Sequence, residues 1–377
     1  MVRIFLAMLC LSAGWSQPAL AQRPPTQIPA TADTVIERLP RGYSALRPPA
    51  TAATGSVSNP IDTAVRLLQA AARTGDARLA ARADAVLAAI PAPQVSTQVL
   101  KSRAFSAQHR HEFALSRQLL DQIIRADPRD ADARLARAQL HLVQGRIREA
   151  RGDCAALSIE VSGEYGSVCV AALSLRNGNL PAAAKFADLW LAQPDTDPSF
   201  RRFMLVMRGD IASRAASPDA DAWFKQALAL APNDVRTLSA YARHLNHSAR
   251  HRQTLALLAN EHDADGLQLH RALAAHALGT ADARALADAQ ARRYALAREV
   301  GAEPELRDEA ELLLTLRGDA ARALVLAQRN FEQQRDYEDV DLLQRAARAA
   351  GKPEALAGLK LWAAEQGISL AKTKAVP

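Results

Sequence analysis

Residues 130–157 read DADARLARAQLHLVQGRIREARGDCAAL, and this stretch decides the fold. A small residue, Ala138, stands in its first half. Gly145 then interrupts it, and Ala150, Cys154 and Leu157 follow at spacings of five, four and three. Each mark has a physical reason. Glycine lets the chain leave one helix through a left-handed turn that other residues resist. A small residue early in the second helix lets the first helix approach closely, and larger apolar residues beyond it fill the next layer.

The same marks recur in both directions. A glycine is followed five residues later by alanine at Gly75…Ala80, Gly178…Ala183 and Gly318…Ala323. After Ser116 come Leu120 and Ile123; after Ala183 come Ala187 and Trp190. A proline closes the unit at Ala80…Pro91, Ser116…Pro128, Ala183…Pro194 and Ala220…Pro232, because its ring blocks continuation of the helix. Ser116 to Ala150 is 34 residues, and Gly145 to Gly178 and Gly318 to Gly351 are each 33. From Asn59-Pro60, a cap followed by a first-turn proline, apolar residues recur at spacings of three and four, as in Val65, Leu68, Ala71 and Ala72. No strand-like alternation bounded by turns is present. The expectation is an all-α chain of antiparallel helix pairs over 59–367, about nine periods long.

This pattern resembles the tetratricopeptide repeat family, with a small residue in the first helix, a turn glycine, an early alanine in the second helix and a closing proline. The best matches are Asp130–Leu157 and Glu164–Pro194, the latter with Ala171, Gly178, Ala183 and Trp190; the closing half stands out in Asp219–Pro232, through Trp223, Phe224 and Ala227. The pattern departs at Leu68, Arg284 and Glu311, and the register between 234 and 300 stays open, as does an α-solenoid of another repeat type. The resemblance implies a right-handed superhelix whose inner groove, lined by the first helices, holds a peptide or helix of a partner protein, without catalysis.

The N-terminus reads as an export signal over 1–21. Arg3 precedes an apolar run from Ile4 to Leu11, and Ala19-Leu20-Ala21 supplies a small-x-small cleavage site. A lipoprotein reading of Cys10 is disfavoured by the bulky Leu9 before it. A periplasmic protein is expected, with no transmembrane segment. Residues 22–58, holding Pro24, Pro25, Pro29, Pro40, Pro48 and Pro49, read as a linker or extended arm, and 368–377 as a disordered tail. Within the arm, Thr34–Leu39 is apolar enough either to dock in the groove or to serve as part of a tether. In an oxidising compartment Cys154 and Cys169 either form a disulfide or stay buried as small hydrophobes; their place on two successive packing helices favours the bond.

The formal net charge of +7 speaks to solubility and to weak attraction toward acidic partners. Only seven of the 47 basic residues are lysine, which with heavy alanine use reads as genome composition, so arginine enrichment is discounted as a sign of phosphate binding. Aromatics at 5% are too sparse for base stacking, and nucleic acid is not expected as a partner. No Gly-x-Ser-x-Gly, Cys-x-x-Cys, phosphate loop or His-Glu-x-x-His occurs, and no cofactor is expected. Asp263-Ala264-Asp265-Gly266 echoes a calcium loop without its remaining ligands and reads as a cap and turn. His109-Arg110-His111 reads as a surface turn. The second reading of function is metal handling: His244, His247 and His251, three and four apart, place two imidazoles on one helical face and a third near the next helix. The groove candidates are first-helix residues left over from stacking: Lys101, Phe105, Gln139, Tyr165, Arg202, Arg243 and Asn246.

Overall fold

The computed structural model describes residues 59–74, 77–193, 197–260, 264–299, 304–368 and 370; the export signal and the arm lie outside them. Among the described residues are eighteen α-helices and no strand. They pair in chain order: α1 (Pro60–Thr74) with α2 (Ala77–Ala88), α3 (Thr97–His109) with α4 (Phe113–Ala126), and α5 (Ala131–Val143) with α6 (Ile147–Ala156). Next come α7 (Gly163–Arg176) with α8 (Leu180–Leu191), α9 (Pro198–Arg214) with α10 (Ala220–Leu230), and α11 (Val235–His247) with α12 (His251–Leu257). The chain finishes with α13 (Asp265–Leu278) and α14 (Ala283–Glu299), α15 (Leu306–Glu311) and α16 (Ala320–Gln333), and α17 (Tyr337–Ala349) and α18 (Ala357–Gln366). A wide π turn extends α6 over Leu157–Val161, and another extends α15 over Leu312–Leu316. Helices pack within their pairs and on the pairs that follow, so the fold is an α-solenoid.

Local chemistry sets the helix ends. Asp130 Oδ1 accepts from Ala133 N at 2.9 Å, Asp234 Oδ2 from Thr237 N at 3.0 Å, and Asp319 Oδ1 from Arg322 N at 3.0 Å, satisfying donors that a helix start leaves free. Helices α2, α4 and α10 stop two or three residues before Pro91, Pro128 and Pro232. Gly145 turns the chain between α5 and α6 at φ +68°. The equivalent corners of α3–α4, α9–α10 and α11–α12 carry His111, Ala216 and Ala249 in the same left-handed region, at φ 57°, 52° and 55°. Such residues resist this conformation by about 1 kcal/mol, which stacking offsets. These corners therefore carry no glycine mark, and the sequence period from 234 is not legible through one.

The spaces between helices are filled as the small-then-large pattern predicts. Ser116, Leu120, Ile123, Ala183, Ala187 and Trp190 are all buried. Gly209 on α9 lies under the Phe224 ring of α10, where an added Cβ would come within 2.7 Å of the ring. Phe224 is wholly buried and stacks on Tyr241 of α11, with centroids 5.3 Å apart. Burial of such a ring contributes about 2–3 kcal/mol. A disulfide joins Cys154 on α6 to Cys169 on α7. Ile368 and Leu370, read from sequence as the start of a disordered tail, pack against the C-terminal apolar cluster, and Ile368 also touches the cluster of α5 to α9.

The solenoid winds tightly enough to touch itself. The α3–α4 corner reaches α15, where His111 Nε2 lies 3.5 Å from Glu305 Oε2. The α5–α6 corner reaches the last two pairs, and α1 meets α11. An open trough was the expectation; instead, inner helices of distant pairs meet across the superhelix axis.

Candidate functional site

The seven groove candidates do face along the first helices, but the stacking consumes them. Lys101 Nζ is buried between Asp130 Oδ1 at 2.8 Å and Asp132 Oδ2 at 3.0 Å. Burial opposes its charge, yet the hydrogen bond to Asp130 and the two carboxylates together raise its pKa. Tyr165 donates its hydroxyl to Asp132 Oδ1 at 2.9 Å. Phe105 sits in the core beside α1 and α2, edge-on to His109, and Gln139 is buried on α5. Arg202 Nε lies 3.5 Å from Asp234 Oδ2, and Arg243 donates to Asp210 Oδ1 at 3.0 Å. Asn246 donates to the His270 carbonyl and accepts from Thr254 Oγ1 at 2.8 Å.

A rule emerges from these pairs. Lys101–Asp132, Asp132–Tyr165, Asp210–Arg243, Arg307–Asp339 and Glu311–Arg345 are separated by 31, 33, 33, 32 and 34 residues. Polar contacts about one period apart therefore tie α3 to α5, α5 to α7, α9 to α11 and α15 to α17. These residues set register between repeats, which corrects their reading as free groove residues.

The histidines do not assemble a metal site; among the described residues no cluster of three or more metal-ligating side chains occurs. His244 is held by Ser213 Oγ at 2.8 Å and Asp221 Oδ1 at 3.2 Å, whereas His251 Nδ1 meets Asn246 Oδ1 at 3.4 Å. His247 is exposed and forms no metal-ligating group with His244 and His251, and desolvation and then Arg243 lower its imidazole pKa. A left-handed turn at Ala249 separates His251 from the helix that carries His244, each of these two imidazoles has its own partners, and the metal reading falls with that. His109 and His111 also depart from a surface turn: His109 is buried, with burial and then Arg236 lowering its imidazole to about 3. Arg110 pairs with Asp84 and with Glu112.

What the sequence reading did not pick out is the seam at the axis. The corner between α16 and α17 carries Asp336, Tyr337, Glu338 and Asp339, and four arginines from four first helices meet it. Arg176 of α7 pairs with Asp336. Arg214 of α9 lies over the Tyr337 ring, 4.5 Å from its centroid. Arg243 Nε of α11 stands 3.4 Å from Glu338 Oε1, and Arg307 Nη1 of α15 stands 3.4 Å from Asp339 Oδ1. Burial would raise the Glu338 carboxyl, but Arg243 and Arg307 outweigh it and hold it at about 2. At Asp339 burial outweighs Arg307, and the pKa rises. The arrangement recognises carboxylates and an aromatic ring. The discount on arginine, read as genome composition, hid it.

A second group of contacts closes the seam beside the α5–α6 corner. Arg335 N donates to Val143 O at 2.8 Å, Trp362 Nε1 to Gly145 O at 3.0 Å, and Ile147 N to Gln366 Oε1 at 3.0 Å. Gly145 is required twice over: by its left-handed turn, and because a Cβ there would lie 2.8 Å from Trp362 and from Arg335.

On this geometry the chain is an all-helical solenoid of tetratricopeptide-like helix pairs, and no helix among the described residues is long and apolar enough to cross a membrane. No protein-family model matches it, and no curated protein matches it. Among solved structures it is similar to a tetratricopeptide repeat protein from Parabacteroides merdae ATCC 43184, at 16% identity and a TM-score of 0.41, over 66% of this chain and 98% of that chain.

Proposed function

We propose that this chain is a non-catalytic interaction scaffold, exported to the periplasm, that binds a peptide or helix of a partner protein in cell-envelope assembly, secretion or a membrane complex. The observation that carries the reading is the solenoid itself. Stacked pairs present an extended surface made by many short elements, none of which stands alone. The side chains with strong chemistry are spent on register between repeats and on the axis seam. The inner first helices offer arginines from four pairs to one acidic segment, which is a recognition surface rather than a reaction centre. The export reading rests on Arg3, the apolar run to Leu11 and Ala19-Leu20-Ala21.

The test is recovery of a partner from envelope extract with tagged full-length protein and with Arg243→Glu and Arg214→Glu variants. Helical circular dichroism should stay unchanged in the variants while the partner is lost. Equal recovery by all three proteins would remove the inner face as the binding surface. Export is checked separately by fractionation and by the mass of the mature N-terminus, expected to begin at Gln22.

A further inference from the structure

We infer that the Asp336–Asp339 corner is a built-in occupant of the inner arginine row, and that a partner segment of the same chemistry, acidic with an aromatic residue, takes its place when the superhelix loosens. This deepens the scaffold reading and rests on it.

Two observations carry the inference. First, Arg176, Arg214 and Arg243 come from α7, α9 and α11 and converge on the consecutive residues Asp336, Tyr337 and Glu338 of a single corner, while Arg307 of the adjacent pair holds Asp339 as a contact of the stack. A row of cations from three repeats, each matched to a carboxylate or a ring, is complementary to a short acidic strand or helix start. Arg243 also keeps Asp210, at 3.0 Å, which holds its guanidinium aimed along the axis. Arg214 keeps the Leu175 carbonyl at 2.7 Å. Arg214 and Arg243 are therefore held by neighbouring helices as well as by the corner.

Second, the seam is of a different kind from the stacking. Neighbouring pairs bury alanine, leucine and aromatic side chains against one another. Across the axis the contacts are mostly polar and partly exposed: the side chains of Arg243 and Glu338 retain 25% and 27% of their surface. Ion pairs of that kind add little net stability, because solvent screens them and competes for them. Separating the last two pairs from α5 to α11 breaks no contact between sequential pairs. Besides the arginine contacts themselves, it requires release of the Trp362–Gly145, Arg335–Val143, Gln366–Ile147 and Arg148–Glu365 hydrogen bonds and of Ile368. A solenoid can do this by a small increase in pitch shared among many interfaces.

The experiment uses full-length mature protein and a fluorescent synthetic peptide of residues 333–341, which contains the corner. Glu338→Lys sets a cation against Arg243 without emptying the core, and Trp362→Ala removes the clasp at Gly145. Both variants should show a larger radius of gyration by small-angle scattering with unchanged helical circular dichroism. Both should bind the peptide about tenfold tighter than the native chain does, since closure taxes binding in proportion to the closed population. Adding Arg243→Glu to Glu338→Lys should restore the compact radius by charge exchange and abolish peptide binding. The inference is overturned if Glu338→Lys stays compact, if it opens without binding peptide, or if the native chain binds as tightly. Failures of the two readings are separable. Peptide binding by the opened form without any recoverable partner would leave the occlusion and sink the scaffold; equal partner recovery by native and opened forms would do the reverse.

Discussion

The stack around Phe224 and the seam around Glu338 lie on the same helices but obey different physics. In the stack, α9, α10 and α11 meet through Gly209, Phe224 and Tyr241, and the ring is wholly buried. In the seam, α9 and α11 meet α17 through Arg214, Arg243, Tyr337 and Glu338, none of them fully buried. Apolar burial between neighbours is not screened and is large for each residue. Charge pairing across the axis is screened and small, though specific. One region should hold the molecule together, and the other should decide which shape it takes.

That contrast can be broken or sharpened by measurement. The largest effect expected is for Phe224→Ala, which leaves a cavity between three helices and should cost about 4 kcal/mol in urea unfolding. A loss under about 1 kcal/mol would mean the stack is looser than its burial implies. Replacing both Cys154 and Cys169 by serine frees a short loop and should cost about 3 kcal/mol. Non-reduced peptide mass mapping should show the two linked before that comparison is made. Lys101→Met strands two carboxylates between α3 and α5 and should cost about 2 kcal/mol, less than the ring but more than an exposed ion pair. If it were neutral, the polar contact at each period would not be what sets register.

The smallest effect is a pH dependence at the axis. Burial, and then Arg243 and His247, lower the His270 imidazole to about 3, against 6.5 for a free histidine. The folded chain thus binds fewer protons than the unfolded chain between those values. Stability from this group is present above pH 6.5 and is lost as pH falls toward 3. His270→Asn should move the acid-unfolding midpoint down by about half a unit, read by tryptophan fluorescence. An unmoved midpoint would place the proton uptake elsewhere, with His109 next to be tried.

Much of the fold was legible because its forces are local. The Gly145…Ala150 and Ser116…Pro128 spacings reflect contacts within one pair, and such contacts leave a periodic trace. The polar pairs of first helices were legible in principle, since Asp132 stands 31 residues after Lys101 and 33 before Tyr165. In sequence they look free, because a charged residue on a helix face reads the same whether solvent or a neighbouring helix receives it. The histidine spacing misled for a related reason. Three and four residues place side chains on one face only while the helix continues, and the chain turns at Ala249 with no glycine to announce it.

Sequence alone determined that this chain is helical, that its helices pair at a period near 33 or 34, and that each pair needs its neighbours. Those facts follow from small, large and turn-forming residues placed within one period of each other. Only the tertiary structure decided that the coil closes on itself, joining Arg176 to Asp336 and Gly145 to Trp362. Partners that far apart along the chain are chosen by the accumulated twist of many interfaces, a quantity no single segment encodes.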